Sequence, residues 1–70
     1  MEKISVKITT EYIKLDQLLK LSGIAESGAE AKYMIKENTI LLNGEEVSQR
    51  GKKIRPGDVV VFRETEINVC

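Results

Sequence analysis

The spacing of apolar positions changes period along this chain, and each change marks a new kind of element. Ile4-Ser5-Val6-Lys7-Ile8 alternates apolar and polar positions and is rich in β-branched residues, which predicts a half-buried strand. From Leu15 the period lengthens. Leu15, Leu18, Leu19 and Ser22 fall at i, i+3, i+4 and i+7 and so share one face of a helix. Asp16 in its first turn suits the helix dipole, Gly23 fits the left-handed position past its end, and Ile24 is expected to fold back on the last turn. A second helix is predicted over Gly28 to Glu37. It opens on Ser27 followed three residues later by Glu30, a capping box in which each side chain satisfies an orphan backbone N–H. Ala31, Met34 and Ile35 face the core, while Lys32 and Lys36 project together on a neighbouring face.

Beyond Asn38 the pattern returns to that of a sheet. Thr39-Ile40-Leu41-Leu42 is a short strand, and Asn43-Gly44 predicts a tight hairpin because both residues tolerate positive φ. Glu45-Glu46-Val47 is the returning strand. Pro56-Gly57 suits the central positions of a type II turn, Val59 to Phe62 form a further strand, and Glu64 to Val69 add a last one. Counted to Phe62 the order is β-α-α-β-β-β, an α+β domain with two helices packed on a small, mostly antiparallel sheet.

A length of 70 residues allows one domain, residues 1–70, which buries roughly 60% of its unfolded surface and is able to fold alone. The apolar residues are aliphatic for the most part, and Tyr12, Tyr33 and Phe62 are the aromatics. No apolar run approaches the roughly 20 residues that span a bilayer, and Met1 to Ser5 lack a signal-peptide pattern. A cytoplasmic, monomeric protein without a membrane partner is the expectation. Histidine is absent, and Cys70 is the one cysteine. A tetrahedral metal site and an imidazole-activated serine are both out of reach, so no metal, no cofactor and no enzymatic activity are expected. Cys70 reads as an incidental thiol.

Charge changes the picture locally. Lys and Arg balance Asp and Glu at a formal net charge of zero, yet Arg50, Lys52, Lys53 and Arg55 fall within six residues that contain no acid. Turn signals bracket this cluster, Asn43-Gly44 before it and Pro56-Gly57-Asp58 after it. The field near such a patch is set by nearby charges, so a rigid basic loop attracts an anionic polymer even when net charge cancels. The plainer reading is a solvated loop, and for Lys32 and Lys36 a solvated helix face.

These blocks, taken in order, resemble a known family. Lys14-Leu15-Asp16-Gln17-Leu18-Leu19, then Ser27, Ala31 and Ile35, then Ile40-Leu41-Leu42-Asn43-Gly44, then Pro56-Gly57-Asp58-Val59-Val60 are similar to the S4 RNA-binding domain over about residues 13–62. Within that family the chain looks most like the small stand-alone S4 proteins of the YaaA/YbcJ type, on Ser27 to Lys32 and on Arg50 to Asp58. The resemblance implies the S4-like (αL-type) fold and a surface of two helices and an adjoining loop that contacts structured RNA. Carried over position by position, it implies roles in RNA binding for Lys14, Ser27 and Gly28, and the cations Lys32, Lys36, Arg50, Lys52, Lys53 and Arg55 are expected to supply the further positive charge of that surface. The family usually has Arg after the serine that opens the second helix. Gly28 stands there instead, which removes one guanidinium and leaves helix N–H groups open to a phosphate.

The expected function is non-catalytic binding of structured RNA, ribosomal or another folded RNA, with a protein partner possible in the same ribonucleoprotein. A-form RNA is recognised largely through phosphates and 2′-hydroxyls, a task for fixed cations more than for stacking aromatics. The alternative is a protein-interaction adaptor with little nucleic-acid affinity, which the balanced charge and the acids Glu26, Glu30, Glu37, Glu45 and Glu46 would suit.

Overall fold

The computed structural model describes all of residues 1–70 and has nine elements. They are β1 (Glu2–Val6), β2 (Ile13–Lys14), α1 (Leu15–Leu21), α2 (Gly28–Glu37), β3 (Ile40–Leu42), β4 (Glu45–Val47), β5 (Lys53–Ile54), β6 (Val59–Phe62) and β7 (Thr65–Val69). Five strands form one sheet in the order β1-β7-β6-β3-β4, antiparallel throughout except where β1 and β7 run parallel. The two-residue strands β2 and β5 make a separate antiparallel ribbon. This is the α+β arrangement expected, with the short ribbon added. Strands of two residues carry no periodicity, so β2 and β5 left no trace in the pattern.

The first strand ends two residues earlier than its alternation suggests. Pairing with β7 runs from Glu2↔Thr65 to Val6↔Val69, and Ile8 lies beyond it as a partly buried residue packed on the core. Its N–H still donates to the Cys70 carbonyl at 2.8 Å. Along β6 and β7, Val60, Phe62, Ile67 and Val69 are buried while their neighbours are half-buried, the alternation of a sheet with one covered face. Leu15, Leu18 and Leu19 of α1 and Ala31 and Ile35 of α2 cover that face, Val6, Ala25 and Ile40 are buried with them, and Ile54 seals the core from the ribbon side. No polar or charged side chain is buried.

The helix ends follow the sequence closely. Gly23, at φ +86°, terminates α1, and Ile24 packs partly buried against the core. At α2 the Ser27 hydroxyl accepts from the Glu30 N–H at 3.1 Å. The second half of the capping box shifts by one residue, because the Glu30 carboxylate accepts from Glu26 N–H at 3.2 Å in place of Ser27 N–H.

Two turns that looked independent in the sequence are joined. Asn43 (φ +51°) and Gly44 (φ +88°) form the hairpin between β3 and β4, and Gly57 (φ +95°) follows Pro56 in the turn before β6. The Asn43 side chain accepts from Val59 N–H at 2.9 Å and donates to Asp58 Oδ1 at 3.0 Å. The second oxygen of Asp58 accepts from Arg55 N–H at 2.8 Å, so one carboxylate links the end of the basic segment to the hairpin. Asn43→Ala is expected to cost about 2 kcal/mol, roughly half from the lost side-chain bonds and half because alanine tolerates the left-handed region less well than asparagine. Asn43→Gly should cost only the first part, and urea denaturation of the two variants separates them. An N43G protein as stable as the parent would show that the side chain does not hold the turns together.

Candidate nucleic-acid interface

Helix α1 begins without a side-chain cap. Its N-cap position is Lys14, in extended backbone, and no side chain bonds there. The first N–H groups of a helix have no partner inside it, so something else must accept from them. Here the basic segment does so with its backbone: Leu15 N–H donates to the Lys52 carbonyl at 2.9 Å and Asp16 N–H to the Arg50 carbonyl at 3.0 Å. A turn closed from Lys52 N–H to the Gln49 carbonyl, 3.1 Å, shapes the segment so that both carbonyls meet the helix. The Ile13↔Ile54 and Lys14↔Lys53 pairs continue the attachment, with Ile54 fully buried as the anchor. The loop is therefore held along its length, while Arg50, Lys52, Lys53 and Arg55 are all exposed.

Lys32, Ile35, Lys36, Ser48 and Arg50 line a shallow groove of about 350 Å³. Both α2 lysines thus share a concave surface with the first cation of the loop. Lys14 is not part of it. It stands opposite Lys53 on the ribbon and lines a different groove, between α1 and the segment after β1. Lys53 is drawn towards that side as well, its ammonium 4.9 Å from the centre of the Tyr12 ring. Lys52 and Arg55 are exposed on the loop but line neither groove.

Ser27 is engaged as the cap of α2. Gly28 is exposed at the first position of that helix, and a β-carbon there would meet nothing within 4 Å. Neither backbone strain nor crowding demands a glycine at this point. The single ion pair of the molecule is Lys3 with Glu66, at 4.0 Å. The side chains of Lys14, Lys32, Lys36, Arg50, Lys52, Lys53 and Arg55 accordingly make no ion pair with a carboxylate. No group of three or more His, Cys, Asp or Glu side chains is arranged to hold a metal ion, and no helix is long and apolar enough to cross a membrane.

The geometry adds residues that sequence reasoning passed over. Tyr33, next to Lys32 on α2, is 64% exposed. Lys7 and Tyr12 line the groove that holds Lys14. A helical projection would have set Tyr33 outward, since it falls on the side away from Ala31 and Ile35. Nothing local marks Lys7 and Tyr12, whose proximity to Lys14 depends on how the segment after β1 returns to α1.

The S4 domain family model matches residues 6–70, and the chain belongs to that family. It is 44% identical over 55 residues to the probable ribosome maturation protein RlbA of Bacillus subtilis, covering 79% of this chain and 78% of that one. Small ribosomal subunit protein uS4 of Natranaerobius thermophilus is 37% identical over 51 residues, and that of Magnetococcus marinus 39% over 51. The match takes in 73% of this chain but only 24% of each uS4 protein, so the chain spans about a quarter of their length.

Replacing Ser27 by Ala removes an N-cap and is expected to lower stability by about 1 kcal/mol in urea denaturation. An unchanged midpoint would mean that the hydroxyl does not cap α2 in solution.

Proposed function

We propose that this protein is a non-catalytic binder of structured RNA, ribosomal or another folded RNA, working as one unit over residues 1–70 and as a monomer. The observation that carries the reading is the groove lined by Lys32, Lys36 and Arg50, three cations without carboxylate partners on a helix and a backbone-anchored loop. Fixed cations suit a duplex whose phosphate tracks have a fixed spacing. Little ordering entropy is lost when the loop is already fastened to α1. Arg50, Lys52, Lys53 and Arg55 extend the positive surface beyond the groove, and Lys14 adds to it beside Lys53. Family membership supports the same reading, as do the printed names of the relatives: a probable ribosome maturation protein and a ribosomal protein. A place in the ribosome or in its assembly, in the cytoplasm, is the setting that accords with them.

Titration of a fluorescein-labelled RNA hairpin across a salt series tests the proposal. The parent is expected to bind at low salt, with log affinity falling linearly as log salt rises. K32Q/K36Q/R50Q should weaken binding by about tenfold or more while the circular dichroism spectrum stays unchanged. No binding by the parent at low salt would remove the RNA reading and favour a protein partner.

Gly28→Arg supplies the guanidinium that the family usually carries after Ser27, at a position with open space around it. It is expected to tighten hairpin binding several-fold and to steepen the salt dependence by about one unit, the effect of one added phosphate contact. A G28R protein with unaltered affinity and slope would place the start of α2 outside the RNA footprint.

A further inference from the structure

The groove that holds Lys14 has features the RNA reading has not used. It has a volume of about 530 Å³ and lies between α1 and the segment joining β1 to β2. Lys7 and Lys14 stand on its lining, with Thr9 and Gln17 as neutral hydrogen-bonding groups and Glu11 as the one acid. A shallower extension shares Ile13, Gln17 and Leu21 with it and adds Lys20. The Thr10 hydroxyl donates to the Tyr12 carbonyl at 2.8 Å, which helps hold the segment in place.

The ribbon beside this groove sets two like charges against each other. Lys14 and Lys53 are directly paired across β2 and β5, so their side chains leave the same face with β-carbons about 5 Å apart. Like charges in that arrangement repel, and no carboxylate relieves them. Only the Tyr12 ring partly accommodates Lys53. An anion laid along the groove would relieve the repulsion and meet Lys7 and Lys20 as well. The neutral groups favour a sugar–phosphate backbone over an acidic peptide, because 2′-hydroxyls and phosphate oxygens can use a hydroxyl and an amide.

We propose that this groove is a second RNA contact, taking a phosphodiester backbone along Lys7, Lys14 and Lys20, apart from the contact at Lys32, Lys36 and Arg50; it rests on the RNA-binding reading. The loop from Arg50 to Lys53 then stands between two stretches of nucleic-acid backbone. It contributes Arg50 to one groove and the Lys53 charge to the margin of the other. The ligand class is a folded RNA that offers two backbone segments, such as the two strands flanking a helix junction, and not a lone single strand.

The test uses the same labelled hairpin and a three-way junction RNA, with K7Q/K20Q compared against K3Q/R63Q, which removes the same net charge away from the groove. The expected result is that K7Q/K20Q lowers the salt slope for the junction by one to two units, about one per lost phosphate contact, while K3Q/R63Q leaves it unchanged. Equal behaviour of the two double variants would overturn the second contact. If K32Q/K36Q/R50Q still weakened binding, the first contact would stand, leaving the groove to an acidic protein segment. Failure of the parent to bind either RNA would instead remove the RNA-binding reading itself.

Discussion

Two backbone hydrogen bonds, from Leu15 and Asp16 to the carbonyls of Lys52 and Arg50, set the conditions for the rest of the basic surface. A helix start without a cap is costly when its N–H groups find no acceptor, so α1 gains stability from whatever segment supplies carbonyls. That segment is the one with the densest positive charge in the chain. The requirement of the helix thus fixes the position of the cations. The carbonyls face α1, and the side chains are left exposed. Charge repulsion would otherwise favour a spread, mobile loop, and here it is opposed by hydrogen bonds and by the buried anchor Ile54.

Asp58 completes the restraint from the other end. Acidic residues are usually counted against a nucleic-acid site, yet the Asp58 carboxylate accepts from the Arg55 backbone and from Asn43, and makes no ion pair with a loop side chain. It organises the loop without neutralising it. The balance of eleven basic and eleven acidic residues is therefore a poor guide to the surface. Among the basic side chains only Lys3 lies within ion-pairing distance of a carboxylate. Local geometry separates the charges that composition cancels.

Much of this was legible in the sequence wherever a local rule determines structure. The end of α1, the start of α2, the hairpin at Asn43-Gly44 and the turn at Pro56-Gly57 follow from caps and positive-φ preferences acting over a few residues. The ribbon of β2 and β5 could not be read, because its pairing couples Ile13 to Ile54 across most of the chain without a periodic signal. The same limit applied to the candidate surface. Lys32 and Lys36 were evident as a pair on one helix, and their proximity to Arg50 follows from the tertiary packing. Lys14 lines a different groove from the α2 lysines, a separation that likewise follows from tertiary packing.

The parallel pairing of β1 with β7 bears on how the molecule comes to be made. Glu2 pairs with Thr65 and Val6 with Val69, so β1 has no neighbour in the sheet until β7 is in place. Until then the Ile4 and Val6 side chains have no sheet to join, and the β6–β7 hairpin must form first to provide an edge. Closing so long a stretch of chain is slow compared with forming helices and hairpins. The helices and the β3–β4 hairpin can therefore assemble early in folding, whereas completion of the sheet comes late. The contact of α1 with Arg50 and Lys52 closes a shorter stretch of chain than the pairing of β1 with β7, so the basic loop can be docked before the sheet is complete.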